Sequence, residues 1–103
     1  MKDDIDLIAL QENAKNATKL LKVMANEWRL LILCHLASEE QTVGDLEAKL
    51  QLSQSALSQH LAVLRKEQLV TTRRDAQSIY YSLDSGDVQA VMSTLYERFC
   101  ESQ

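Results

Sequence analysis

Leu52-Ser53-Gln54-Ser55-Ala56-Leu57-Ser58-Gln59-His60-Leu61-Ala62-Val63-Leu64-Arg65-Lys66 has two opposed faces when coiled into a helix. At about 100° per residue, Leu57, Leu61 and Leu64 share a narrow arc, while Ser55, Ser58, Gln59, Ala62 and Lys66 fall on the other side. Ser53 suits the N-cap, because its hydroxyl can accept from a first-turn N–H. Just upstream, Thr42 with Asp45 three residues on forms a box-like capping pattern. It opens a helix from Val43 to about Leu50, with Leu46 and Leu50 on one side. Gln51-Leu52 turns the chain between the two. Two helices joined by a tight turn, over about 43–66, make a helix-turn-helix pattern.

Beyond Lys66 the period changes. Residues 69–74 and 78–83 are rich in β-branched and aromatic side chains, with Ile79, Tyr81 and Leu83 alternating with Ser78, Tyr80 and Ser82. Asp75-Ala76-Gln77 makes the turn, so a β-hairpin is predicted over about 69–83. Asp84 reads as the cap of a last helix, about 85–101, with Asp87 in its first turn and a stripe of Val88, Val91, Met92, Leu95 and Phe99. On the other flank, Asn26 reads as the N-cap of a helix running to about Ser38, with Leu30, Leu33, Cys34 and Ala37 on one face. Glu39-Glu40-Gln41 reads as a loop. Residues 5–24 read as an amphipathic helix or two, with Ile5, Ile8, Ala14, Ala17, Leu20, Leu21 and Met24 at helical spacing. The predicted fold is mainly α with a β-hairpin wing, in the order α-α-α-α-β-β-α: one winged helix-turn-helix domain over residues 1–103.

The length of 103 residues fits one domain, and the absence of proline with only two glycines favours helices. No apolar run approaches the roughly 18 residues of a membrane span. The start, Met1-Lys2-Asp3-Asp4-Ile5-Asp6, lacks a secretory apolar core, so a cytoplasmic protein with no membrane partner is expected. So small a chain is marginal as a monomer, which homodimerisation would relieve. The net charge of −4 argues against a generic basic nucleic-acid binder, but the charge is unevenly spread. Residues 1–52 carry 6 basic and 9 acidic side chains, and residues 84–103 carry 1 and 4. Residues 53–83 carry Arg65, Lys66, Arg73 and Arg74 against Glu67 and Asp75, a net +2. That basic segment can focus binding on one face.

A helix face of short polar groups can enter the major groove of double-stranded DNA. Gln bonds adenine edges, Ser bonds bases or phosphates, and Ala touches a thymine methyl. The predicted readers are Ser53, Gln54, Ser55, Ser58, Gln59 and Ala62. Arg65 and Lys66 lie at the helix end near a phosphate, and Arg73, Arg74 and Gln77 lie near the hairpin tip, where a wing reaches backbone or minor groove. Two plainer readings compete: a solvated polar helix with surface arginines, and a winged-helix protein-interaction module. Catalysis is not indicated. Cys34 and His35 are helix neighbours that do not face each other, Ser58 and His60 point different ways, and no Gly-rich phosphate loop is present. Neither His35 nor His60 has a second His, Cys or Asp ligand at i+3 or i+4, so no metal or other cofactor is predicted. His60, beside the leucine face, is expected to make a structural hydrogen bond. Cys34 and Cys100, with no CxxC, are either small buried hydrophobes or a redox pair, resting as thiols in a reducing cytosol.

Residues 52–65 resemble the recognition-helix signature of the ArsR/SmtB family of bacterial repressors. Ala25-Asn26-Glu27-Trp28-Arg29-Leu30-Leu31-Ile32-Leu33 is similar to the family's second-helix motif, although Trp28 is bulkier than is usual there, and Tyr80-Tyr81-Ser82-Leu83 resembles its wing exit. The resemblance covers about residues 14–100. It implies a homodimer, with the first and last helices (about 5–24 and 85–101) at the interface, on a near-palindromic operator. It also implies where metal-sensing relatives place ligands. Thr42-Val43-Gly44 stands where one type has Cys-x-Cys, and the last helix lacks the histidines of another. One cysteine in the second helix and one near the end of the last, with Asp75-Ala76-Gln77 at the wing, resemble the persulfide-responsive branch. That match implies Cys34 and Cys100 as sensing thiols and reactive sulfur species as inducer.

In such a sensor a thiolate takes a sulfane sulfur and the second thiol closes a bridge. A simple disulfide needs Cα atoms within about 7 Å, and each inserted sulfur adds up to roughly 2 Å of reach. A pair held just beyond disulfide reach would therefore favour polysulfide bridges. The alternative within the same fold senses oxidants or a thiophilic metalloid through the same thiols.

Overall fold

A computed structural model describes residues 6–84 and 86–100, with Cys100 described for its backbone alone. Helix α1, Leu7–Met24, is continuous and capped by the Asp6 carboxylate, which accepts from Ile8 N at 3.0 Å; Ile5 lies outside the described residues. Met24 is buried, and Leu20 and Val23 pack partly against the core. Ile8, Ala14, Ala17 and Leu21, from the predicted stripe, are exposed. Most of α1 therefore leaves its apolar side uncovered by its own chain.

Asn26 caps α2, Glu27–Ser38, accepting from Arg29 N at 3.1 Å, as its residue type predicts. Arg29 Nε donates back to Val23 O at 2.7 Å and fixes the corner between α1 and α2. Of the predicted stripe on α2, Leu33 is fully buried and Leu30, Cys34 and Ala37 pack partly buried against the core; Ile32 and Leu36, outside that stripe, are buried as well. The helix is apolar on nearly every side, so periodicity alone could not bound its buried face.

Residues 39–41 are not simply a loop. Gln41–Thr42 forms a short strand, β1, and the helix-turn-helix follows as α3, Val43–Leu50, and α4, Gln54–Lys66. Thr42 and Asp45 make the reciprocal capping box, with both bonds at 3.0 Å. Gln51 closes α3 in the left-handed region (φ 54), and Ser53 caps α4, accepting from Ala56 N at 3.1 Å. Leu46, Leu50, Leu57, Leu61 and Leu64 all enter the core.

Strands β2, Val70–Asp75, and β3, Ser78–Leu83, pair antiparallel from Val70↔Leu83 to Asp75↔Ser78, leaving a tighter turn than predicted, Ala76-Gln77. β1 pairs on the other edge of β3, giving the order β1-β3-β2. Helix α5, Gly86–Leu95, buries Val88 and Met92. The residue before Gly86 lies outside the described residues; Asp84 N donates to Leu69 O at 3.0 Å. The chain then continues as a π-helical turn, Tyr96–Cys100, against α2. A π turn inserts a residue into the helical repeat. Phe99, expected in line with Val88 and Met92, is instead 74% exposed.

Candidate functional site

The buried leucines of α4 fix which side of that helix faces outward. Ser53, Gln54, Ser55, Ser58, Gln59, Ala62, Arg65 and Lys66 are all exposed. On the wing, Arg73, Arg74 and Gln77 are exposed as well, so all the predicted DNA-contacting side chains lie on the surface.

The cations are not equivalent. Arg65, Lys66 and Arg74 make no ion pair among the described residues. Arg73 lies over the Tyr80 ring, 4.4 Å from its centroid, and donates from Nε to Glu40 Oε2 at 2.9 Å. A second nitrogen of its fork also bonds Glu40, and Asp75 stands 3.9 Å away. These hydrogen bonds hold the Glu40 carboxyl below its ordinary range and raise Arg73. Sequence reasoning missed Glu40, because the pairing spans 33 positions and depends on β1 joining the sheet.

Gln41 was missed too. It is 1% exposed, with Nε2 directed at His35 O (3.4 Å) and Oε1 accepting from Lys49 Nζ at 2.8 Å. This links the end of α2 to α3.

His60 makes no hydrogen bond among the described residues, contrary to expectation; partial burial first, then nearby Arg29, lowers its pKa. Burial, then Lys49, does the same for His35. No cluster of three His, Cys, Asp or Glu side chains suited to a metal ion occurs among the described residues. No helix among them is long and apolar enough to cross a membrane.

Cys34 is partly buried on α2, on the wall of a groove of about 940 Å³ between α2 and α5 with its π turn. Its sulfur takes part in a disulfide rather than resting as the thiol expected from compartment alone. A direct disulfide at Cys34 also removes the support for a gap too wide for one. The side chain of Cys100 lies outside the described residues.

A helix-turn-helix with a polar outer face, flanked by a three-stranded wing, defines a winged-helix DNA-binding transcriptional regulator. Residues 26–72 match the model for bacterial regulatory proteins of the arsR family. The transcriptional activator HlyU of Vibrio cholerae serotype O1 is 48% identical over 98 residues, 95% of this chain and 91% of that protein. The structure of reduced HlyU from Vibrio cholerae N16961 aligns with a TM-score of 0.85 at 49% identity, covering 90% of this chain and 98% of that one. The transcriptional repressor BigR from Xylella fastidiosa aligns with a TM-score of 0.88 at 34% identity, over 95% and 99% of the two chains. The chain belongs to the arsR family.

Proposed function

We propose that this chain is a homodimeric repressor that binds a near-palindromic operator and releases it when reactive sulfur species bridge Cys34 and Cys100. The DNA half of this reading is supported by the exposed polar face of α4 and the uncommitted cations Arg65, Lys66 and Arg74. A dimer is supported by the uncovered Leu7, Ile8 and Leu21 of α1. The sensing half rests on one observation: Cys34 lies on a helix against which the π turn carrying Cys100 packs. In a chain with two cysteines, we assign Cys100 as the disulfide partner of Cys34.

The chemistry balances with the persulfide as both sulfur donor and oxidant. The Cys34 thiolate attacks the outer sulfur of R–S–SH, giving Cys34–S–SH and RS⁻. That persulfide attacks a second R–S–SH at the sulfur bonded to R, giving Cys34–S–S–S–R and HS⁻. Cys100 then attacks the sulfur next to Cys34, expelling RS⁻ and closing a trisulfide. In sum, two thiols and two RSSH give the bridge, two RSH and H₂S. The bridge ties α2 to the end of α5 and shifts the spacing of the two recognition helices. A coupling of about 1–3 kcal/mol suffices for a roughly 5–150-fold loss of affinity.

The plain disulfide at Cys34 favours one second reading, oxidant sensing through the same thiols. Exposing the reduced protein to an organic persulfide, a disulfide and peroxide, then measuring intact mass and operator binding, separates the two. Bridges heavier by about 32 Da per inserted sulfur, formed with persulfide alone, support sulfur sensing. Release by peroxide through a plain disulfide supports the oxidant reading.

A further inference from the structure

The groove beside Cys34 carries information about what reaches that sulfur. Its walls include Leu30 and Leu31 from α2, Met92 and Leu95 from α5, and Phe99 from the π turn. Glu27 is the one acidic side chain on its lining among the described residues, and no lysine or arginine lines it. His35 also lines it, and burial, then Lys49, lowers its pKa and so disfavours its cationic form. An apolar substituent entering this groove leaves water for leucine and methionine contacts. An anionic one is desolvated and meets the Glu27 carboxylate, with the Arg98 guanidinium, 5.8 Å from the Phe99 ring centroid, standing outside the lining.

We propose that this groove selects the sulfur donor: Cys34 takes sulfur from small organic persulfides with an apolar substituent in preference to anionic donors such as glutathione persulfide. The inference rests on the reading of Cys34 as a sulfur-accepting thiol. The step is the first one given above, with the leaving RS⁻ taking up a proton in solvent. Selectivity arises in the placement of R against Leu31, Leu95 and Phe99, before any bridge closes.

The test uses the reduced, full-length protein. The rate of sulfur addition to Cys34 is followed by intact mass and peptide mapping, with benzyl persulfide and with glutathione persulfide as donors. Each rate is normalised to the same donor acting on urea-unfolded protein. The folded protein is expected to favour the benzyl donor by about tenfold. Leu31→Lys, at a position already 38% exposed, should bring the ratio to one or below by placing a cation in the groove. Equal normalised rates in the wild type would overturn donor selection, including the case in which a second protomer covers the groove. No sulfur addition from either donor would overturn the sensing assignment itself, and so distinguishes the two failures.

Discussion

Arg73 and Glu40 are joined across the width of the wing: the guanidinium reaches from β2 over Tyr80 of β3 to a carboxylate at the start of β1, with Nε–Oε2 at 2.9 Å. A carboxylate placed on a guanidinium fork takes the positions a phosphate would use. DNA must therefore displace Glu40 before Arg73 can contact the backbone. Glu40→Gln is predicted to tighten operator binding several-fold at low salt and to steepen the dependence of log K on log salt by about 0.9, one extra phosphate contact. Anisotropy titrations across a salt series check this. Weaker binding at an unchanged slope would make Arg73 a brace of the sheet and nothing more.

The exposed side chains of α4 should separate into base readers and phosphate contacts. Gln59→Ala is predicted to cost about 1–3 kcal/mol on the specific operator and much less on unrelated DNA, whereas Lys66→Ala should weaken both alike. The ratio of specific to non-specific affinity, measured at one salt concentration, decides. An unchanged ratio for Gln59→Ala removes it from the readers.

Gln41 satisfies Lys49 and the last-turn carbonyl of α2 from a position with 1% exposure. Gln41→Ala leaves those groups without their partner and is predicted to lower stability by about 1–3 kcal/mol. The urea midpoint should fall at constant m-value. A midpoint unchanged from wild type would show that water replaces the amide at no cost.

His35 and His60 both have pKa values below the ordinary 6.5, chiefly because burial disfavours the charged imidazolium, with Lys49 and Arg29 acting in the same direction. The unfolded chain thus binds protons more readily than the folded one, and stability rises with pH through this window. It is fully present above about pH 6.5 and is lost as pH falls through the folded-state values. Urea midpoints should drop between about pH 7.5 and about pH 5.5, and His35→Asn should reduce the drop. An equal drop in that variant would assign the effect to other groups.

The helix-turn-helix was legible because its signals are local. Leucine spacing, the Ser53 cap and the Thr42–Asp45 box each act within one or two turns of helix, and all appear where the sequence puts them. The bounds of the hairpin strands were legible to within a residue, although Gln51, Gln68 and Ala76 take left-handed conformations that glycine would have advertised. The rest depends on distant partners. β1 is two residues long and exists because Thr42 and Gln41 meet Tyr80 and Tyr81. The width of the buried face of α2 was hidden by its uniform hydrophobicity, and the π turn that rotates Phe99 outward has no marker in its residue types. The proposed DNA-facing residues follow from local periodicity, whereas the proposed sensing thiols rest on resemblance and on the packing of two elements far apart in the chain.

Operator affinity, measured by anisotropy on one reduced sample before and after persulfide treatment and paired with intact mass, addresses the sensing mechanism directly. The prediction is a fall of roughly 5–150-fold that appears together with a bridged Cys34–Cys100 species and is absent in Cys34→Ser, which binds DNA normally throughout. A fully bridged protein that holds its operator as tightly as the reduced one, or a Cys34→Ser variant that still lets go, would contradict it.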